Sequence, residues 1–270
     1  LLLTTYNLPL NTYLYGAAFE RIGVGARALG MSGAFTGLGN NAAGIYYNTA
    51  GLVNVENEQL EIMYINLYGF SLVSYTFIGY ARPNVGNGTI SMGLIHLGLG
   101  DEFKLRNFSE DTVLLAYGFN LLKNLNSGVA LKFYGASYDG IRGTAWSGDI
   151  AFLYNLKNIL YAGINVQDIN SPTIKWETKN EDELMLNPNI GVALKLTERF
   201  TITADLKNIL TYERTYCVGS ELELFEKRFF VRGGISYQKV FSFSFGFGII
   251  VSEFQFQYSI QRHFDLGWNN

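Results

Sequence analysis

A strict alternation of residue types over positions 241–251 constrains the fold more than any other feature of the sequence. Every odd position from Phe241 to Val251 is apolar, and the even positions as far as Gly248 are serine or glycine, with Ile250 the one exception. Successive side chains of a β-strand point to opposite faces of the sheet. The segment therefore predicts a strand with one apolar face and one small or polar face.

Five other segments repeat this alternation, so the apolar face is not peculiar to one strand. Strands of about ten residues with one apolar and one polar side, separated by turns, are typical of a transmembrane β-barrel, with the apolar side toward lipid and the polar side toward the lumen. In hydrocarbon every backbone amide needs a partner, so the sheet is expected to close on itself. The five segments are 129–134, 190–196, 202–207, 231–238 and 254–261.

Composition agrees with a sheet and excludes other classes. No stretch of eighteen or more residues lacks polar or charged side chains, which excludes a membrane-spanning helix on length grounds. The chain has 20 Phe and 18 Tyr but only 4 Pro, a mixture that suits strands. A net charge of -3 and a pI near 5.5 leave no basic patch for nucleic acid.

Residues for catalysis or metal binding are scarce. The single Cys217 cannot form an internal disulfide, and His96 and His263 are the only histidines. No Ser-His-Asp set, pair of catalytic carboxylates or metal cluster is evident, since only His263 lies at a predicted rim. We therefore expect no enzyme activity, no cofactor and no metal site.

Thirteen strands are predicted along the chain, and bacterial single-chain barrels have an even number. A fourteenth strand is therefore expected after Asn270, which would make the chain truncated at that point. The predicted strands are 59–67, 73–82, 88–98, 112–122, 127–137, 145–155, 159–168, 187–196, 200–209, 216–225, 229–238, 241–251 and 254–263.

The predicted connections alternate in length. Those after the even-numbered strands are short, as expected of periplasmic turns, whereas those after the third, fifth and seventh strands are longer, as expected of extracellular loops. The longest contains the acidic stretch Glu177 to Glu183, which we interpret as solvated surface. Residues 1–15 are either the remainder of a signal peptide or an ordinary apolar leader.

The segment from Arg21 to Leu52 has no period-2 pattern and is rich in small residues. Small residues allow backbones to pack closely in a confined space. The spacing of Gly23, Gly25 and Gly30 does not match a dinucleotide-binding fingerprint, and no preceding strand supports one.

Three stretches of this segment carry a family resemblance. Gly25–Phe35, Asn40–Ala42 and Ile45–Leu52 resemble, in this order, the N-terminal region of the FadL-like superfamily of outer-membrane proteins, particularly its PorV/PorQ branch, although Thr49 stands where the family usually has proline. Phe264 to Gly267 resembles the loop before the family's last strand. The resemblance implies a fourteen-stranded barrel in the bacterial outer membrane, with residues 16–57 as a plug or hatch and residues 58–270 as the barrel. The plug positions assigned in this way are Gly25, Arg27, Gly30, Gly33, Asn48, Ala50 and Gly51.

The family resemblance implies two alternative functions. The first is a passive channel for small hydrophobic compounds such as long-chain fatty acids, with membrane lipid and the solute as partners. The second is a PorV-like accessory of a protein-secretion system, which binds cargo or the translocon.

Two further sets of residues are candidates for a role in passage. Gly93, Gly98 and Gly100 in the third predicted strand, which is apolar on both faces, mark either a kink with a lateral opening or a strand covered by the plug on its inner face. Charged side chains on the polar faces are interpreted as compensating pairs that hold the plug, or alternatively as a polar permeation path. These predicted lumen charges are Lys132, Lys195, Asp205, Lys207 and Arg232, with Glu221 and Glu223 if Leu222 and Leu224 face lipid.

Overall fold

The protein is described from a computed structural model that covers residues 19, 21–67, 73–99, 108–178, 181–210, 214–263 and 267–269. The predicted leader at residues 1–15, most of 16–20, and Gly100 lie outside the described residues. Among the described residues, no helix is both long and apolar enough to cross a membrane.

Within the described ranges, three short helical segments precede sixteen strands. The helices are α1 (Ala26–Leu29), α2 (Gly44–Tyr47) and a 3-10 helix (Thr49–Asn54). The strands are β1 (Gln59–Leu67), β2 (Val73–Val85), β3 (Gly88–Leu99), β4 (Phe108–Leu122), β5 (Leu125–Tyr138), β6 (Ile141–Leu156), β7 (Leu160–Gln167), β8 (Thr173–Trp176), β9 (Glu181–Glu183), β10 (Asn187–Lys195), β11 (Phe200–Lys207), β12 (Thr215–Leu224), β13 (Phe229–Tyr237), β14 (Phe241–Val251), β15 (Phe254–His263) and β16 (Gly267–Asn269).

Fourteen of these strands form one antiparallel path in chain order, from β1 to β7 and then from β10 to β16. All thirteen predicted strands are present. The fourteenth strand on the path was expected after Asn270, but β16 begins before that position, at Gly267. β16 pairs with Gln261–His263 of β15. Among the described residues no hydrogen-bonded ladder joins β16 to β1, although Cα atoms of the two strands approach within 8 Å.

The strand connections differ from the prediction at one place. The connection after β5 was expected to be long, but it consists of Asp139 and Gly140, both with positive φ (48° and 85°). Positive φ at both central residues is the type I′ turn that suits the twist of a hairpin, and Asp-Gly is a preferred sequence for it. The prediction was wrong because the fifth strand was ended one residue too early, at position 137, and the sixth was begun four residues too late, at position 145.

The two ends of the sheet are named here by their connections. The turn side carries the short connections after β2, β4, β6, β10, β12 and β14, and the loop side carries the opposite connections. On the loop side the long segment after β7 is partly ordered as a hairpin of β8 and β9, and β8 pairs with β6 through Gly143 and Trp176.

The sheet has the two faces that the alternation predicted. In β14, Phe245 is 59% exposed whereas the next residue inward, Ser244, is fully buried. The same pattern in the other strands leaves an outward apolar surface that includes Val192, Val231 and Phe256. Side chains such as these are stable in hydrocarbon and unfavourable in water.

The inward face is covered by residues 21–57, called here the N-terminal segment. A methyl group on Gly163 of β7 would lie 2.1 Å from the carbonyl oxygen of Thr36, and one on Gly128 of β5 would lie 2.4 Å from the carbonyl carbon of Thr49. Only glycine allows so close an approach between strand and segment backbones. The buried apolar side chains that join the segment to the strands include Met31, Phe35, Ile45, Phe77, Leu114 and Leu153.

Candidate functional site

An ion pair fixes α1 to the strand wall on the turn side. Arg27 donates from Nε and Nη2 to the two carboxylate oxygens of Glu221 in β12, at 2.9 and 2.7 Å. Its Nη1 donates to Oδ1 of Asn40 at 2.9 Å. A bidentate arginine-carboxylate pair is directional as well as strong, so it fixes the orientation of α1.

The predicted lumen charge Arg232 belongs to the same group. Its Nε donates to Oε2 of Glu221 at 2.6 Å, and both side chains are buried. Two arginines therefore share one carboxylate. Oε2 of Glu223, the other conditional candidate, lies 3.7 Å from Nζ of Lys227, whose side chain is exposed whereas that of Glu223 is half-buried.

Asp205 of β11 binds backbone of the N-terminal segment. Its Oδ2 accepts from the amides of Phe35 and Thr36 at 2.9 and 2.8 Å. The neighbouring inward side chain, Lys207, lies 5.3 Å from the ring centroid of Tyr47. A buried carboxylate that accepts two amide hydrogen bonds ties the segment to this strand without a countercharge on the segment itself.

A second charged group lies on the loop side, where Asp168 follows β7. Arg21 donates to its Oδ2 at 2.7 Å, and Tyr134 donates to its Oδ1 at 2.6 Å. Lys132 lies between two carboxylates, 2.9 Å from Asp149 and 3.4 Å from Asp168. Burial raises the pKa of Asp168, but the charges of Lys132 and Arg21 outweigh burial, so this pKa lies below its usual value.

Side-chain amides make a third kind of attachment. Asn165 and Gln167 of β7 donate to the carbonyl oxygens of Tyr47 and Tyr46, at 2.9 and 2.8 Å. Asn48, a predicted plug residue, is fully buried; it donates to the carbonyl of Thr36 at 2.7 Å and accepts from the amide of Ala50 at 3.0 Å. These bonds satisfy the backbone of a segment that has little regular structure.

Of the other predicted plug residues, Gly30 and Gly33 also adjoin the wall. Gly30 accepts at its carbonyl from the hydroxyl of Ser244 at 3.1 Å, and that hydroxyl lies 2.7 Å from the hydroxyl of Ser32. Gly33 has a positive φ of 72° beside Lys207. Gly25 and Gly51 are also buried.

Lys195 is the lumen candidate with the fewest partners in the structure. It lies on the turn side, where its Nζ is 5.2 Å from the ring centroid of Tyr161. The five predicted lumen charges thus have three kinds of partner. Lys132 and Arg232 belong to the two ion-pair groups, and Asp205 binds backbone amides. The two remaining residues, Lys195 and Lys207, lie near tyrosine rings.

Several residues of these groups were missed by the sequence reasoning, namely Asp149, Asn165, Gln167, Asp168 and Ser244. The alternation contains the signal for Asn165 and Gln167, because they share the inward parity of Gly163 while Ile164 and Val166 face outward. Asp168 follows the last residue of β7, and outside a strand the alternation does not indicate which way a side chain points.

β3 is paired with both neighbours along its described length. Its register with β2 is continuous from Ile90 to Leu99, and its register with β4 runs without a bulge from Gly88 to Gly98. A methyl group on Gly93 would lie 3.4 Å from Cγ2 of Ile45 in the N-terminal segment. A lateral opening at this strand would therefore require rearrangement of an intact ladder.

Two cavities lie on opposite sides of the N-terminal segment. The loop-side cavity has a volume of about 560 Å³ and is lined by polar side chains such as Asn189 and Gln238, together with Tyr46 and Tyr47. The turn-side cavity has a volume of about 750 Å³ and is lined by Arg27, Glu221 and Arg232 among others. Residues of β1 and β15 border it, including the outward-facing Leu60 and Ile62.

Comparison with known proteins finds similarity in structure alone. No family model matches the chain, and no curated protein is detectably similar in sequence. The toluene transporter TodX of Pseudomonas putida superposes with a TM-score of 0.69 at 12% identity, over 90% of this chain and 92% of TodX. The toluene transporter TbuX of Ralstonia pickettii gives 0.67 at 10% identity, over 92% and 95%. A FadL homologue of Pseudomonas aeruginosa gives 0.61 at 8% identity, over 91% and 94%.

The fold is that of the FadL-type outer-membrane barrels. The PorV/PorQ branch that the sequence motifs indicated finds no counterpart among these structures. An antiparallel sheet with an outward apolar surface needs a lipid environment, and barrels of this kind belong to the bacterial outer membrane. The predicted class of an antiparallel sheet of the FadL type is thus confirmed, and this fold is one of bacterial outer-membrane proteins. The plug and the closure of the sheet stay predictions.

Proposed function

We propose that the chain is a passive, energy-independent conduit for small hydrophobic molecules across the outer membrane. The observation that carries this proposal is a fold shared along most of the chain with transporters of toluene, combined with cavities on both sides of a lumen-filling segment. The structural neighbours named here are transporters or their homologues, which supports transport over catalysis.

In this proposal the N-terminal segment is the plug. Its attachments come from strands distributed around the sheet, including β7, β11, β12 and β14, so it stays in the lumen while a solute passes along it. The lumen charges then serve to hold the plug, since Asp205, Lys132 and Arg232 all have close partners. A solute would enter the loop-side cavity, pass the plug and leave on the turn side or sideways.

Sideways release through the strand of Gly93, Gly98 and Gly100 remains part of the proposal as an alternative exit. It predicts that the pairing of β2 with β3, or of β3 with β4, opens during transport. A disulfide between Thr76→Cys and His96→Cys, which are register partners on the two strands, would lock that pairing. Unchanged transport by the locked protein would contradict sideways release between β2 and β3.

Uptake by vesicles tests the conduit. Vesicles with lipopolysaccharide in the outer leaflet resist hydrophobic solutes, so a conduit should accelerate entry of labelled toluene or of a labelled long-chain fatty acid in the absence of any energy source. An unrelated closed barrel of similar size is the control. Entry no faster than through the control barrel, with the protein folded as judged by heat-modifiable migration, would contradict the proposal.

The second candidate is a PorV-like secretion accessory, and the specific observation in its favour is the motif pair Gly25–Phe35 and Ile45–Leu52. An accessory of this kind would bind secreted protein or a translocon through its loop side. Co-purification of a large secretion protein from the native outer membrane, dependent on the β8–β9 hairpin, would favour it over the conduit.

A further inference from the structure

The two cavities approach each other at a single group of side chains. Ile22, Leu29 and Gln261 line both the loop-side and the turn-side cavity. Because each of these residues borders both spaces, the three form a layer that separates the two cavities at this place. Ile22 and Leu29 belong to the N-terminal segment, and Gln261 belongs to β15.

The backbone that carries this layer crosses the lumen between two fixed points. Arg21 is bound to Asp168 on the loop side, and Arg27 is bound to Glu221 on the turn side. Between them, the amides of Val24 and Gly25 donate to Tyr47 Oη and Met63 Sδ, at 3.1 and 3.0 Å. The backbone is thus held at both ends and in the middle.

The side chains of the layer are held less firmly than its backbone. Ile22 and Leu29 are aliphatic, so only packing opposes a change of rotamer, and Ile22 is only partly buried. Rotamer changes of this kind occur in nanoseconds where space is available, and both cavities supply space. The layer can therefore open while the ion pairs stay intact.

We propose that Ile22, Leu29 and Gln261 form the constriction through which solute passes from the loop-side to the turn-side cavity, on the β15 side of the N-terminal segment. This inference rests on the proposed conduit function. Two aliphatic side chains facing one amide admit a small apolar or amphiphilic solute at little desolvation cost and oppose a hydrated ion. The polar lining of the loop-side cavity favours a solute that carries a hydrogen-bonding group beside its apolar part.

The constriction is tested by shortening its side chains. Leu29→Ala and Ile22→Ala should each raise the entry rate of toluene several-fold in the vesicle assay, and should raise the K⁺ conductance of the protein in planar bilayers. Leu52→Ala is the matched control: it lies in the same segment and is fully buried, but it borders neither cavity. Heat-modifiable migration of each variant establishes that the barrel is folded.

The opposite change gives a second, independent readout. Ile22→Trp adds bulk to the constriction and should lower toluene entry below that of the wild type. The proposal is overturned if Leu29→Ala and Ile22→Ala both leave conductance at the wild-type value, or if Leu52→Ala raises it equally.

The two readouts distinguish failure of the proposed conduit function from failure of the proposed constriction. If conductance rises in Leu29→Ala while neither wild type nor variant admits toluene or fatty acid, the constriction stands and the proposed solute class is wrong. If wild type admits toluene and the constriction variants leave both readouts unchanged, the conduit stands and the route lies elsewhere.

Discussion

Arg27 and Glu221 are 194 positions apart in the sequence and form a bidentate ion pair inside the barrel, at 2.9 and 2.7 Å. One partner belongs to the N-terminal segment and the other to β12. The N-terminal segment is therefore held in place by a contact between residues that are distant in the sequence. Substitution of either residue tests this contact.

Loss of the ion pair should loosen the segment. Arg27→Ala removes the charged hydrogen bonds from Arg27 to Glu221 but leaves Glu221 paired with Arg232, so no buried charge is left without a partner. We expect a loss of about 1.5–3 kcal/mol in the free energy of unfolding in lipid vesicles, the usual contribution of a hydrogen bond to a charged group, with faster proteolysis of the segment. Lys227→Ala is the control, because its pair with Glu223 is 71% exposed on the lysine side and should contribute about 1 kcal/mol or less. Equal losses for the two variants would contradict a structural role for Arg27.

The group around Asp168 predicts a dependence of stability on pH. The folded-state pKa of Asp168 is lowered because Lys132 and Arg21 outweigh burial, so its carboxylate binds protons less readily in the folded than in the unfolded state. Its contribution is complete above the unfolded pKa of about 4 and is lost as the pH falls through the folded value. Urea unfolding should show a wild-type advantage over Asp168→Asn that is constant at neutral pH and shrinks below about pH 4. An advantage that grows toward low pH would contradict this.

Two adjacent glycines of β13 test the close packing of segment against wall. A methyl group on Gly234 would lie 2.5 Å from the carbonyl carbon of Met31, whereas one on Gly233 would meet nothing within 4 Å. Overpacking of this kind costs about 1–3 kcal/mol. Gly234→Ala should therefore lower the midpoint of urea unfolding and Gly233→Ala should not. A lower unfolding midpoint for Gly233→Ala than for Gly234→Ala would contradict the packing of the N-terminal segment against the face of the sheet on which Gly234 lies.

The outward face is tested by a charge in the middle of β14. Phe245→Lys should cost about 2–4 kcal/mol of folding free energy in lipid vesicles, because a lysine at the bilayer midplane loses hydration. Phe241→Lys, at the end of the same strand, should cost about 1 kcal/mol or less. Equal losses of folding free energy for Phe245→Lys and Phe241→Lys would contradict contact between the outward face of β14 and lipid.

The sequence predicted the strands well because a single physical rule governs them. Each strand alternates between lipid and lumen, so β14 and β15 could be recognised residue by residue, and inward charges such as Asp205 and Arg232 followed from parity. The tight turn at Asp139 and Gly140 was missed because the alternation of inward and outward side chains does not define where a strand ends.

The partners of the inward residues could not be predicted in the same way. The sequence around Arg27 does not indicate whether Arg27 pairs with Glu221 or with Glu223. The pairing depends on how the N-terminal segment crosses the lumen. The segment has no periodic pattern, and its path is determined by contacts with residues more than 100 positions away, such as Asn165 and Ser244. The constriction at Ile22 and Leu29 is a property of that path, so it too required the structure.

The central claim is that the N-terminal segment occupies the lumen of the barrel. The hydroxyl oxygens of Ser32 and Ser244, 212 positions apart, lie 2.7 Å from each other, so cysteines at both positions are close enough for a disulfide. In a Cys217→Ser background, Ser32→Cys combined with Ser244→Cys should crosslink during export to the outer membrane and shift the unfolded band on a non-reducing gel. Two free thiols that stay uncrosslinked under oxidising conditions in a folded barrel would contradict the account.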